Sequence, residues 1–172
     1  RVIGGPWEVR FPAGWGAPAL RRFEKLVSWT KVEEEGIKYF SGIASYHKGF
    51  ESRADELAEG NRVFLDLGRV RFVAEVYVNG DSQGIVWKPP YRVDVTDAVK
   101  VGTNQLVVEV ANTWSNRLVG DAQNPDGKQF CRTNIDKSLT FQVLWKETPL
   151  LESGLLGPVK LITAGAPLAR RR

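Results

Sequence analysis

Methionine is absent from this 172-residue sequence, and cysteine and histidine occur once each, at Cys131 and His47. A single cysteine excludes an intramolecular disulfide, so cysteine usage does not separate a reducing compartment from secretion. The lone histidine has no partner four residues on and no cysteine pair beside it, which leaves no zinc-site spacing. No apolar run approaches the ~18 residues of a membrane-spanning helix, so no membrane partner is expected, whereas a removed signal peptide is compatible. Without an initiator methionine, the start at Arg1 reads as an excised or processed piece of something longer. Lys and Arg number 24 against 20 Asp and Glu, and most of the excess lies in Arg170-Arg171-Arg172 after Gly165-Ala166-Pro167. Residues 165–172 therefore read as a flexible tail, and the chain lacks the clustered basic motif of a nucleic-acid binder.

What is present is strand patterning. The length suits one domain, able to bury roughly 70% of the unfolded chain's surface. Trp7, Val9 and Phe11 alternate with Glu8 and Arg10 as a half-buried strand, Pro12–Pro18 breaks into a loop, and Leu20–Leu26 reads as extended. Thr30 and Glu33 stand at capping-box spacing with Gly36 as a stop, which predicts one or two turns of surface helix, its Glu33–Glu35 run a solvated face. Ile37–Phe50 is rich in β-branched and aromatic residues and predicts a strand bent at Ser41-Gly42. Residues 51–60 are charged, without alternation, and form a connection. Val63, Leu65 and Leu67 form the next strand. Ala74, Val76 and Val78 then lead into Asn79-Gly80 and return through Gly84–Trp87 as a hairpin. Pro89-Pro90 excludes a central strand. Val93 and Val95 resume a strand, Thr96–Lys100 reads as a helical turn capped by Thr96 or Asp97, and Leu106, Val108 and Val110 alternate in another strand. Leu139–Trp145 and Val159–Thr163 supply the last two strands, with a loop over Pro149–Gly154.

Short strands joined by Gly, Pro and Asn turns predict an all-β antiparallel β-sandwich with one or two short helical turns. Leu67-Gly68, Ala74-x-Val76-x-Val78-Asn79-Gly80, Gly84, Trp87, Pro90-Tyr91, Asp94-Val95-Thr96 and Gly102-x-Asn104-x-Leu106 resemble the galactose-binding-like jelly-roll domain of glycoside hydrolases, the sugar-binding domain of the family 2 β-galactosidase and β-glucuronidase group. Tyr39-Phe40-Ser41-Gly42-x-Ala44-x-Tyr46, the cluster from Asn112 to Asp121, and Ser153–Val159 further resemble the C-terminal β-sandwich of large bacterial α-L-rhamnosidase-like enzymes. The resemblance covers about residues 37–163. It implies a jelly roll over residues 37–164, continuous with residues 1–36, in a secreted or periplasmic bacterial enzyme whose catalytic carboxylates lie in a separate barrel. A barrel needs roughly 200 residues or more, so no enzyme activity is expected of this chain. The expected partners are a poly- or oligosaccharide and the catalytic domain of the parent chain.

A sugar site needs an aromatic ring for the C–H face and polar groups for the hydroxyl edges. Trp114, Asn116, Arg117 and Asp121 offer both within ten residues, in a turn region after a strand. Two readings stand. In one they bind glycan; in the other Trp114 is core, Asn116 turns the chain and Arg117 pairs with Asp121 to hold a loop. The polar loop Gln123–Lys128 is a candidate rim. Trp87 and Tyr91 form a second candidate platform, with packing over the core edge as its alternative, and Tyr39, Tyr46 and His47 form a third set. No cofactor is required. A structural calcium stays open, with Asp94, Asp97 and Asp121 available but not spaced as an EF-hand. Cys131 reads as a buried inert thiol. Carbohydrate binding and purely structural packing on a catalytic barrel are the two surviving functions, with an autonomous β-sandwich glycosidase or lyase behind them.

Overall fold

The computed structural model describes residues 1–131 and 145–165. In chain order the strands are β1 (Trp7–Arg10), β2 (Leu20–Phe23), β3 (Ile43–Ser52), β4 (Arg62–Asp66), β5 (Arg69–Arg71), β6 (Val73–Val78), β7 (Asp81–Val86), β8 (Arg92–Asp94), β9 (Gly102–Ala111), β10 (Gly154–Gly157) and β11 (Lys160–Ala164). Two short helices join them, α1 (Glu35–Lys38) before β3 and α2 (Ser115–Gln123) after β9. One six-stranded antiparallel sheet has the order β2-β1-β3-β9-β6-β7, and β11-β4-β8 with the pair β10-β5 supplies the opposing strands. The expected all-β sandwich is the observed architecture.

Alternation builds its core. In β6, Ala74, Val76 and Val78 are buried while Val73, Glu75 and Tyr77 face outward, and β9 buries Leu106, Val108 and Val110 in register with them. Asn79 turns the hairpin at φ 54° and also donates Nδ2 to Ala98 O and Asn104 Oδ1, fastening the turn to the start of β9.

Tyr46 of β3 ties the two layers together. Its hydroxyl accepts Trp29 Nε1 at 2.6 Å and the amide of Leu155 in β10 at 3.1 Å. Its ring stacks on Trp29, which meets Phe11 and Phe40 edge-on at 5.8 and 5.4 Å. Each such ring buries on the order of 150–250 Å², about 4–6 kcal/mol per ring at ~25 cal/mol per Å². Ring burial thus supplies the stability, and the phenol supplies the register, since both donors are sealed from water.

Four expectations shift. The 30–36 helix is replaced by a 3-10 turn at Trp29–Lys31, capped by Ser28 Oγ rather than Thr30, followed by α1. Gly36 lies inside α1 and is no stop: a Cβ there would fall onto the Gly16 carbonyl, so the helix needs glycine to accept the 12–18 loop. The Ile37–Phe50 strand starts only at Ile43, because Ile37 and Lys38 are helical; the expected bend is present at Gly42, before the strand rather than within it. Residues 96–98 form a turn, with Asp94 Oδ1 accepting the Thr96 amide where Thr96 or Asp97 was expected to cap. Of the 139–145 strand, only Trp145 is within the described residues, opening a 3-10 turn at Trp145–Glu147, and the tail beyond 165 is outside them.

Tyr46→Phe keeps the stacked ring and leaves two buried donors without their acceptor. We expect a loss of about 2–4 kcal/mol in urea unfolding followed by tryptophan fluorescence. A loss below about 0.5 kcal/mol would show that Trp29 and Leu155 find other acceptors.

Candidate functional site

β9 ends at Ala111, and Asn112-Thr113-Trp114 lead into α2 beside the α1 end of β3. The expected turn over 112–121 is therefore mostly helix. Its signal is short: within Ser115–Gln123 only Leu118 and Val119 are large and apolar, and residues 116–121 are all buried, polar and apolar alike. Gly120 reads as a breaker but serves a close contact, since a Cβ there would stand 2.7 Å from Tyr39 Cβ and Cγ.

The polar side chains of this helix divide into engaged and available. Asn116 exchanges two 2.8 Å bonds with the Leu151 backbone and donates to Ser153 Oγ at 2.9 Å. Asn112 likewise accepts the Gly42 amide at 2.8 Å and donates to Phe40 O and Ser153 Oγ. Asp121 accepts the amides of Phe130 and Cys131 on Oδ2, at 3.1 and 2.8 Å, and sets Oδ1 3.3 Å from Arg117 Nε, one helical turn back. These groups hold loops, and none of them reaches outward.

Arg117 is different. Only 6% of it is exposed, and its guanidinium lies 4.5 Å from the Phe130 ring centroid and 5.7 Å from that of Tyr39. Burial lowers its pKa from the ordinary arginine value, and Asp121 opposes that shift most strongly. The guanidinium donates no hydrogen bond among the described residues; Asp121 is its one ion pair there. It lines two cavities. A cleft of about 170 Å³ is lined by Trp15 and Trp114 together with Ser41, Asn112, Arg117 and Cys131. A larger cavity, about 440 Å³, is lined by Glu35, Tyr39, Arg117, Asn124, Lys128 and Phe130 among others.

Trp114 is 61% exposed, which corrects the core alternative for that residue. Of the four clustered residues, the structure brings Trp114 and Arg117 to one cleft and turns Asn116 and Asp121 inward. Trp15 escaped the sequence reading; its signal was a tryptophan between two glycines in a Pro-bounded loop. The candidate rim contributes Asn124 and Lys128. Trp87 follows β7 and is 65% exposed, so it does not cover the core edge, while Tyr91 is half-buried and packs on the core. Neither lines a cavity with Trp114. Of the third set, Tyr46 is core and His47 pairs with Ser45 Oγ at 2.9 Å on the outer sheet face. Among the described residues no three His, Cys, Asp or Glu side chains gather as a metal site, and the Asp94 carboxylate is engaged by Thr96 and Arg62. Cys131 is buried.

Comparison with known proteins now adds to this geometry. The family described as glycosyl hydrolase 2 galactose-binding domain-like matches residues 30–144. A Formosa agariphila protein, named provisionally as a beta-glucuronidase, is 44% identical over 93% of this chain, which spans 15% of that relative. The solved rhamnosidase of Novosphingobium sp. PP1Y superposes at a TM-score of 0.85 with 41% identity, over 95% of this chain and 15% of its own. A Ruminococcus gnavus beta-glucuronidase shares the fold alone, at a TM-score of 0.55 and 22% identity over 65% of this chain and 20% of its own. The chain thus spans about 15% of the length of its two more similar relatives.

The division between engaged and available side chains is measurable by thermal and urea unfolding. Asn116→Ala, which strands the Leu151 amide and leaves its carbonyl to Ser153 Oγ alone, is expected to lose about 1–3 kcal/mol. Trp114→Ala is expected to stay within about 0.5 kcal/mol of the parent. The reverse ranking would put Trp114 in the core after all.

Proposed function

The chain belongs to the glycosyl hydrolase 2 galactose-binding domain-like family, and from that premise we propose that it is a non-catalytic, carbohydrate-binding accessory domain of a larger glycosidase. The observation that carries this reading is the presence in one cleft of an exposed tryptophan and a guanidinium that donates no hydrogen bond among the described residues. Trp114 and Trp15 offer apolar faces for the C–H side of a sugar ring, and Arg117 offers donors for its oxygens. A cleft of about 170 Å³ is smaller than the roughly 300 Å³ at which drug-sized sites begin, so it suits one ring of a chain that continues into solvent. Asn116 and Asp121 position this pair without touching the ligand. The catalytic acid and base belong to the remainder of the larger polypeptide.

A second role, compatible with the first, rests on the outer face of the six-stranded sheet. Ile43 and Val73 flank Ala111 in register, and Ile85 and Trp87 continue the exposed apolar surface along β7. Such a strip on a chain that spans 15% of its two more similar relatives suits packing against a neighbouring domain of the same polypeptide.

For the binding role, isothermal titration across a broad oligosaccharide panel should find ligands, and Trp114→Ala should weaken them at least tenfold at unchanged thermal midpoint. Silence across the panel would end that reading. For the packing role, hydrogen exchange at residues 85–88 should be slower in a longer polypeptide that includes the neighbouring domains than in this chain alone; equal exchange would remove it.

A further inference from the structure

We propose that the saccharide recognised at this site is acidic, its carboxylate held between Arg117 and Lys128 in the larger cavity; this rests on the carbohydrate-binding reading above. The charge arrangement points there. Lys128 Nζ lies 5.0 Å from the centroid of Phe130, the same ring that Arg117 approaches at 4.5 Å, so one aromatic ring gathers two cations. Lys128 makes no ion pair among the described residues, and Arg117 meets only Asp121, through Nε. Asp121 cannot turn toward the cavity, because its Oδ2 is fixed by the amides of Phe130 and Cys131. Glu35 shares the cavity wall but is exposed and forms no ion pair there.

The geometry of Arg117 selects the ligand group. A guanidinium clamped between two rings and backed by a carboxylate on Nε is pre-oriented, with its terminal nitrogens left over; Nη2 lies against Gly120 on the cavity wall. A planar carboxylate accepts two parallel N–H bonds from such a fork, and a neighbouring ammonium adds a point charge. A neutral hydroxyl satisfies one donor and brings no counter-charge to Lys128. At about 440 Å³ the cavity admits a substituted ring, with Asn124 available to its hydroxyls and Phe130 to its face. Arg117 forms part of both cavities, so an acidic unit there would stand next to a unit stacked on Trp114.

The test is isothermal titration of the 172-residue chain with tri-galacturonate and with the galactotriose made by reducing its carboxyl groups, together with glucuronate and glucose. The acidic member of each pair should bind at least tenfold more tightly in 20 mM salt, with a gap that narrows at 500 mM. Lys128→Gln, at an exposed position, should cut the acidic preference about threefold or more with the thermal midpoint unchanged. Arg117→Lys, which retains the charge and removes the fork, should abolish the preference if it folds. Equal affinity for acidic and neutral sugars overturns the inference and leaves glycan binding intact. No binding of either kind takes both readings down. An acidic preference that survives Lys128→Gln undiminished places the carboxylate elsewhere and also overturns it.

Discussion

A single buried residue, Ser153, holds the functional end of the sandwich in place. Its hydroxyl accepts from Asn112 at 3.1 Å and from Asn116 at 2.9 Å and donates to Leu151 O, while its amide donates to Ser28 Oγ and its carbonyl accepts from Trp29. Five connections converge on one small polar side chain and its backbone, from the 3-10 turn, the end of β9, the first turn of α2 and the approach to β10. In a site shielded from water each unmade bond would leave a desolvated group, at roughly 1–3 kcal/mol apiece, so the network is satisfied as a unit or fails as one. The angle at which α2 leaves β9, and with it the placement of Trp114 and Arg117, follows from that closure.

The sheets were legible in the sequence because alternation is a local signal with one cause, a buried face opposed to a wet one. Ala74, Val76 and Val78, the Asn79-Gly80 turn and Leu106, Val108 and Val110 all read correctly for that reason. The helices did not. In α1, the backbone approach of Gly16 to Gly36 decides the conformation, and a residue 20 positions away cannot be read from spacing. In α2, only two large apolar residues, Leu118 and Val119, carry the period, and Gly120, required by the close approach of Tyr39, interrupts it.

The candidate site was legible in its composition and not in its division of labour. Trp114, Asn116, Arg117 and Asp121 share one segment, and sequence alone could not say which would face solvent. The tertiary partners decide that: Leu151 and Ser153 draw in Asn116, the Phe130 and Cys131 amides draw in Asp121, and Trp114, at the helix cap, stays 61% exposed. Trp15 and Lys128 came from loops whose positions relative to the helix no local pattern specifies.

The closure at Ser153 also imposes an order in time. Its partners lie 125 residues earlier at Ser28, 41 at Asn112 and 37 at Asn116, so the network cannot close until the chain has been made as far as residue 153. During synthesis the strands from β1 to β9 can pair while the cleft beside them has no fixed shape, and it acquires one only when the segment leading into β10 arrives. The shape of the cleft is therefore a late product of the domain's own assembly, since a chain that stopped short of residue 153 would lack the bonds that hold Asn112 and Asn116.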